Sequence, residues 1–463
     1  MNSIMITTCV TAQPSSLRAP FAQQSRFWLT FCSLVLITLL VSACQPTVAV
    51  TETPTTAASP TVSPTDSPTA LPTSSPVPTA GSMLVVSPVD LPTPATTPST
   101  APLPTLSPTD LPTAAATRTM IPAPDPAWTY DVGTAIWSSP TISENVIYFG
   151  SDDGNLYAVD MVTKMLRWKF TTGGLVRSHP AIWNGIVYFS SDDGFLYGLD
   201  ADSGSEQWRA DIGSTDMPSR GNLISQWDYQ QSSPVVADGI VYVGSAAKAV
   251  YAIDAATGSQ IWKFDTVTWV RDTPAVAGGK VFIGDRLANL YALDAATGAE
   301  KWRVQGCDIP SPLVVDGNVY CGSRSTTDLR AWDAGTGELL WTFSFQSSWV
   351  DSSPRIEDGT LYIGSSDLYA LFAIDPKTGA QKWKFSTDAF AWCTPAISNG
   401  VVYIGSYLPW EAVSDFYAVD AETGEQIWAL SVPQGVVSSP AVMDGFVYFG
   451  GMDGKLYAVS AAP

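Results

Sequence analysis

The chain has 463 residues, 45% of them hydrophobic, with 35 Pro, 35 Gly, 17 Trp, 6 Cys and a single His. A net charge of −20, from 23 Lys and Arg against 43 Asp and Glu, argues against nucleic acid, whose binding needs a basic footprint. One histidine excludes a multi-His metal site and a His-rich proton relay, and any Ser-His-Asp arrangement would have to pass through His179.

Residues 1–44 read as a secretory segment. Arg18 and Arg26 supply positive charge, and no acidic residue precedes Glu52. The apolar run 27–41 is short for a membrane span. It leads into Leu40-Val41-Ser42-Ala43-Cys44, which resembles the bacterial lipobox. That ending predicts lipid attachment at Cys44, a membrane partner and an extracytoplasmic location at the bacterial envelope. The alternative is an ordinary signal peptide or a retained signal anchor.

Residues 45–127 hold 19 of the prolines and 19 threonines and no aromatic residue. Such a segment buries too little apolar surface to offset its conformational entropy. Its Ser-Pro-Thr and Leu-Pro-Thr units predict an extended, partly polyproline-II stalk that spaces the rest of the chain from the membrane.

From residue 128 to 463 the chain repeats. A proline opening an apolar run recurs at Pro140, Pro180, Pro234, Pro274, Pro312, Pro354, Pro395 and Pro440. A spacing near 40 residues indicates a propeller blade or another repeat architecture. Each unit reads as four short strands. After Pro234 come Val-Val-Ala, the hairpin signal Asp238-Gly239, the alternating run 240–245, the strand ending at Asp254, a polar turn closing on Gly258, and a last strand carrying Trp262. The Asp254-Gly258-Trp262 spacing recurs in five further units. The first unit has Lys164 in place of the Gly, which predicts a distorted turn. The eighth unit ends before any Trp strand, whereas Trp128 stands 40 residues before Trp168. The strand at Trp128 is therefore expected to complete the last blade and close an all-β, eight-bladed propeller.

The pattern Ala-x-Asp-x-x-x-Gly-x-x-x-Trp with a preceding Tyr-x-Gly-Ser resembles the PQQ-type repeat of quinoprotein dehydrogenases and the BamB lipoproteins. The resemblance covers residues 128–463. It implies that Trp128, Trp168, Trp208, Trp262, Trp302, Trp341, Trp383 and Trp428 dock neighbouring blades. For alcohol-oxidising members it also implies PQQ with calcium, an adjacent Cys-Cys pair, a Trp beneath the quinone and a catalytic Asp. This chain has no two consecutive cysteines, and its regular blades leave little room for the extra loops.

Chain direction puts the Asp-Gly hairpins and Asp-x-x-x-Gly turns on one face, and the proline connections with the Gly-Ser loops on the other. Three and five residues before the prolines stand the ligand-binding candidates Trp137, Arg177, Tyr229, Trp269, Arg271, Trp349, Asp351 and Trp392. Aromatic rings offer stacking and Arg offers carboxylate or phosphate recognition. The alternative is that these residues pair with one another and plug the channel. Long connections at 210–231 and 406–415 fall on the same face, as recognition loops or as a lid. His179 is expected to be a hydrogen-bonded packing residue. The Ser-Asp-Asp-Gly loops at 151–154 and 191–194 lack a full calcium ladder and read as tight turns. Cys307 and Cys321 can pair in an oxidising compartment, the alternative being small buried thiols. The expected function is a non-catalytic, monomeric, lipid-anchored binding or scaffold module. It would take a protein, peptide, glycan or small ligand, with no catalytic residue, metal or cofactor. The alternatives are a PQQ-dependent dehydrogenase, in which Asp351 would be the base and Trp137 or Trp392 the quinone platform, and a BamB-like outer-membrane assembly factor.

Overall fold

The computed structural model describes residues 121–215 and 231–462. The signal segment, Cys44, the stalk up to residue 120 and Tyr229 lie outside the described residues. Among the described residues the regular elements are strands, arranged as eight four-stranded antiparallel sheets. Blade 3 is representative: strand a (Val235–Ala237), b (Ile240–Ser245), c (Ala249–Asp254) and d (Gln260–Asp265) pair in that order. The a–b hairpin turns on Asp238 and Gly239, at φ 51° and 77°, the positive-φ pair that a tight hairpin requires.

Strands b and c are buried on both faces, which is why they read as near-continuous apolar runs. They pack blade against blade. Tyr242, Val250 and Trp262 of blade 3 share a cluster with Val281, Ile283, Tyr291 and Leu293 of blade 4. Each fully buried aliphatic or aromatic side chain there contributes roughly 1.5–3 kcal/mol.

The repeat motif explains itself at the blade seams. Asp254 Oδ1 accepts the hydroxyl of Thr257 (2.8 Å) and the amides of Thr257 (2.8 Å) and Ala256 (3.1 Å), which closes the turn and holds its carboxyl below the usual range. The turn ends on Gly258 at φ +72°, against the indole of Trp208 from blade 2; a Cβ there would lie 2.7 Å from Trp208 Cδ2. Trp208 Nε1 and Tyr188 Oη both donate to the Ala255 carbonyl at the start of the same turn, each at 3.1 Å. Tyr148 with Trp168, Tyr242 with Trp262, and Tyr362 with Trp383 repeat this double donation to Ala201, Ala295 and Ala421. A register shift one step before the Trp, as between Ala252 and Ile253, aims the indole across the seam.

The turn at Lys164 is not distorted. Lys164 adopts φ 60°, and its amide reaches the Asp160 carbonyl at 2.8 Å, as in the glycine-bearing turns. Asp160 caps the Val162 and Thr163 amides and accepts both Arg167 Nε and Nη2, so turn chemistry offsets the roughly 1–2 kcal/mol of left-handed strain.

The ring closes as the repeat count requires. Trp128–Asp131 pairs with Lys455–Ser460 in register Trp128↔Ala458 to Asp131↔Lys455. The residues just before this strand also join the body. The Ile121 amide donates to the Ile427 carbonyl at 3.0 Å, and Ala123 packs on the cluster containing Trp428 and Val459.

Candidate functional site

The segments leading into the eight prolines converge on the ring axis. The residue just before each proline is Ser, Thr or, once, His179, and these residues form a belt. The His179 amide donates to Ser233 Oγ (2.8 Å), Ser233 to Thr273 Oγ1 (3.3 Å), Thr273 to Ser311 Oγ (2.9 Å) and Ser311 to Ser353 Oγ (2.8 Å). Thr394 donates to Ser439 Oγ (3.0 Å) and Ser439 to Ser139 Oγ (2.7 Å). Ser139 Oγ lies 3.0 Å from His179 Nε2, so the ring nitrogen stands where a hydroxyl stands in the other blades. Burial lowers the His179 pKa to about 4, leaving it neutral at pH 7.

Above the belt, the residue three before each proline lines an axial cavity of about 100 Å³, as do residues from the b–c loops. The wall divides into two arcs. On one side the connections into blades 7, 8 and 1 supply the lining residues Trp392, Val437 and Trp137, which belong to an apolar cluster completed behind the wall by Phe390, Tyr407, Leu408 and Met452. Phe390 stacks on Trp392 at 4.9 Å, and Tyr407 meets both Trp392 (5.6 Å) and Trp137 (5.8 Å). The insertion at 406–415 places Tyr407 and Leu408 in this cluster and leaves Trp410 62% exposed, edge-on to Phe390.

Blades 2, 4 and 5 supply Arg177, Arg271, Arg286 and Arg324. Arg177 forms a bidentate pair with Asp152, both contacts at 2.6 Å, and lies 4.6 Å over Trp137, joining the two arcs. Arg324 Nε and Nη2 both reach Asp351 Oδ1, at 2.9 and 2.5 Å, and the guanidinium covers Trp349 at 4.8 Å. Burial raises the Asp351 carboxyl above its ordinary value and Arg324 opposes that rise. Asp272, where most blades carry Ser, is raised well above the carboxylate range, first by burial and then by the neighbouring Asp308.

Of the sequence candidates, Trp137, Arg177, Arg271, Asp351 and Trp392 line the cavity. Trp269 and Trp349 do not; they sit half-buried in the outer loops, where their carbonyls accept the amides of Arg286 and Ser366, each at 3.0 Å. The position five before the proline is thus a loop-tying position, and only the position three before faces the axis. Gln231, three before Pro234, lines the cavity at the position the repeat assigns it, whereas Arg286 and Arg324 were not singled out from sequence. The two arginines stand two residues after the Gly near the end of strand b, Gly284 and Gly322, in the same repeat register as Asp152 and Tyr407, and that register was the available signal.

In the Ser-Asp-Asp-Gly loops the second Asp braces its own loop, while Asp152 pairs with Arg177 and Asp193 also accepts the Gly173 amide from the neighbouring blade. Asp153 and Asp193 accept from Tyr157 and Tyr197 and from the amides of Asn155 and Phe195. Among the described residues no group of three His, Cys, Asp or Glu is placed to hold a metal ion. Cys307 and Cys321 are joined by a disulfide; Cys393 is free and buried, its thiol pushed up to about 12.

The family profile described as outer membrane protein assembly factor BamB matches residues 123–233, 226–321, 308–389 and 371–462. No curated protein sequence matches the chain. Among solved structures, BamB from Moraxella catarrhalis superposes with TM-score 0.58 at 17% identity, over 73% of this chain and 99% of that one. A europium-containing methanol dehydrogenase superposes with TM-score 0.60 at 15% identity, over 73% and 93%. The computationally designed Ika8 protein superposes with TM-score 0.61 at 18% identity, over 71% and 97%. At these identities the likeness is one of fold.

Proposed function

Because the chain belongs to the PQQ-type, BamB-like repeat family, we propose that it is a non-catalytic, extracytoplasmic binding or scaffold module for a protein or peptide partner. The observation that carries this reading is the divided mouth: an apolar arc ending in exposed Trp410 stands opposite an arginine arc on a rigid closed ring. Aromatic and Arg side chains at a rim are the residue types that dominate recognition surfaces. The groups with reactive side chains are engaged elsewhere. His179 is neutral and bonded into the belt, Asp351 is paired with Arg324, and two cysteines are joined.

A quinone cofactor does not fit the axial cavity. Ligand sites for drug-sized molecules occupy roughly 300–1,000 Å³, several times the space here. The cavity wall carries no adjacent cysteine pair, and the aromatic rings of the arc pack on one another rather than flanking a slot. We therefore rank the dehydrogenase reading below the scaffold reading. The assembly role named for the family is one form the scaffold reading takes. Lipid attachment at Cys44 and the stalk would hold a monomeric propeller at a distance from the membrane.

The test places a photo-crosslinking amino acid at position 410 in the native envelope, with position 340, exposed on an outer strand, as control. A discrete adduct from 410 and none from 340 supports the reading; equal adducts or none refute it. Cys44→Ser in the same cells should move the protein to the soluble fraction. Dye reduction on alcohols or sugars after adding PQQ and calcium would overturn the non-catalytic reading.

A further inference from the structure

We infer that the rim of the mouth over blades 6 and 7 takes a basic segment of the partner: an apolar platform at Trp410 and Val413, edged by carboxylates, receives Lys or Arg side chains of a peptide. This rests on the reading of the mouth as a protein or peptide site, and it names the chemistry of what binds there.

Two independent observations carry it. The first is the exposed apolar surface. Trp410 is the one aromatic among the exposed large apolar side chains of the described residues, at 62%, and Val413 of the same insertion is 50% exposed. Strands Val413–Asp420 and Gln426–Pro433 have eight residues each, against three to six in every other strand. The two extra residues per strand lie at the mouth end and extend this hairpin by about 7 Å. Trp410 stands edge-on to Phe390 at 5.9 Å, and Tyr369 from the blade 6 loop meets the same ring at 5.4 Å, so blades 6 and 7 share one platform.

The second is charge. The mouth-side segments 345–353, 365–370, 386–394, 405–415 and 431–439 hold Asp351, Asp367, Asp388, Glu411 and Asp415 and no Lys or Arg. Asp351 is taken by Arg324 of blade 5, as Asp152 is by Arg177 and Asp453 by Lys455. Among the described residues the other four have no Lys or Arg partner. Their hydrogen bonds come from neutral groups: Asp367 accepts the Trp349 amide (3.2 Å), Asp388 the Tyr417 hydroxyl (2.9 Å) and Asp415 the Ser431 hydroxyl (2.8 Å). Asp367, Asp388 and Glu411 are exposed. After burial, the charges of Asp367 and Glu411 are what raise the Tyr369 pKa, so both carboxylates bear on the platform.

The rim thus sets uncompensated negative charge beside an exposed indole. An ammonium or guanidinium answers both, lying over the ring and against the carboxylates while its methylene stem covers Val413. The same charge disfavours the other occupants. A second copy brings a net charge of −20, and nucleic acid or anionic lipid is repelled likewise.

Fluorescence anisotropy on the full-length chain tests the assignment with the labelled peptides Lys-Phe-Lys-Phe-Lys and Glu-Phe-Glu-Phe-Glu. The basic peptide should bind, several-fold more weakly at about 500 than at about 50 mM salt, and the acidic one should not. The double variant Asp367→Asn, Glu411→Gln keeps an acceptor for the Trp349 amide and should weaken binding about tenfold, about threefold per charge contact. Trp410→Ala should weaken it about threefold. Glu338→Gln with Asp358→Asn, on the opposite face, changes the net charge equally and should leave binding unchanged, which separates the rim from the general field of an acidic protein. Equal binding of the two peptides, binding of neither, rim variants that bind as the parent does, or an equal loss in the control pair would overturn it. Self-association in sedimentation that Trp410→Ala abolishes would give the rim to a second copy and overturn it as well. A discrete adduct from position 410 with no preference for the basic peptide leaves the scaffold reading and refutes this one; a preference for the basic peptide without an adduct does the reverse.

Discussion

Replacing Gly258 by Ala separates the two demands that the blade seam makes on one residue. The first demand is backbone: φ is +72°, and a left-handed Ala costs about 1–2 kcal/mol. The second is space: the new Cβ would lie 2.7 Å from Trp208 Cδ2 and Cε3, inside any real contact distance. Trp208 is buried among Tyr188, Val241 and Ala255, so its indole has to shift, giving up its bond to the Ala255 carbonyl and part of its packing. Losing the bond costs about 1 kcal/mol, and a partial loss of the roughly 3–5 kcal/mol that a buried large aromatic contributes adds about 1–2 more. The expected total is about 3–5 kcal/mol. Gly445→Ala is the control: φ is +76° and nothing lies within 4 Å of the new Cβ, so only the backbone cost of about 1–2 kcal/mol applies. Urea unfolding followed by tryptophan fluorescence measures both. In a Trp208→Ala background the Gly258→Ala cost should drop to the control value. Equal costs at 258 and 445, or an undiminished cost in that background, would show that the glycine serves the backbone alone.

Two further outcomes follow from the inner ring and the fifth blade. His179 has a folded pKa of about 4 and an unfolded value of about 6.5, so the unfolded chain binds the extra proton between them. Its contribution is present above the unfolded value and is lost as pH falls toward the folded one, by at most about 3 kcal/mol; His179→Ser should keep the belt and flatten that loss in urea titrations at pH 7 and 4.5. Cys307 and Cys321 close a loop with a sequence separation of 14, so replacing both with Ser should lower unfolding free energy by about 3 kcal/mol under oxidising conditions and by nothing under reducing ones.

The blades were legible because each carries its instructions locally. Asp254, Gly258 and Trp262 define a turn and a docking ring within nine residues, and the same spacing returns blade after blade. Counting them also placed Trp128 in the last blade, since a ring with an incomplete sheet would leave an open edge. The turn at Lys164 was misread because a missing Gly signals lost conformational freedom, while the capping by Asp160 that compensates depends on hydrogen bonds the residue types only allow. The site was half legible. Position in the repeat brought Trp137, Arg177, Arg271, Asp351 and Trp392 to the axis. It could not tell the axis-facing register from the loop-tying one that holds Trp269 and Trp349.

Period, turn chemistry and strand pattern thus determined the ring, its closure and the face that carries variable residues, because these are properties of one blade repeated. What the tertiary structure decided is how residues from different blades meet. The eight pre-proline residues became a hydrogen-bonded belt only when neighbouring blades supplied donor and acceptor. The aromatic and arginine residues, scattered through the chain, separated into two arcs only when the ring set blades 7, 8 and 1 side by side. The cavity between them owes its size to packing across the axis, a distance between elements that no local sequence pattern encodes.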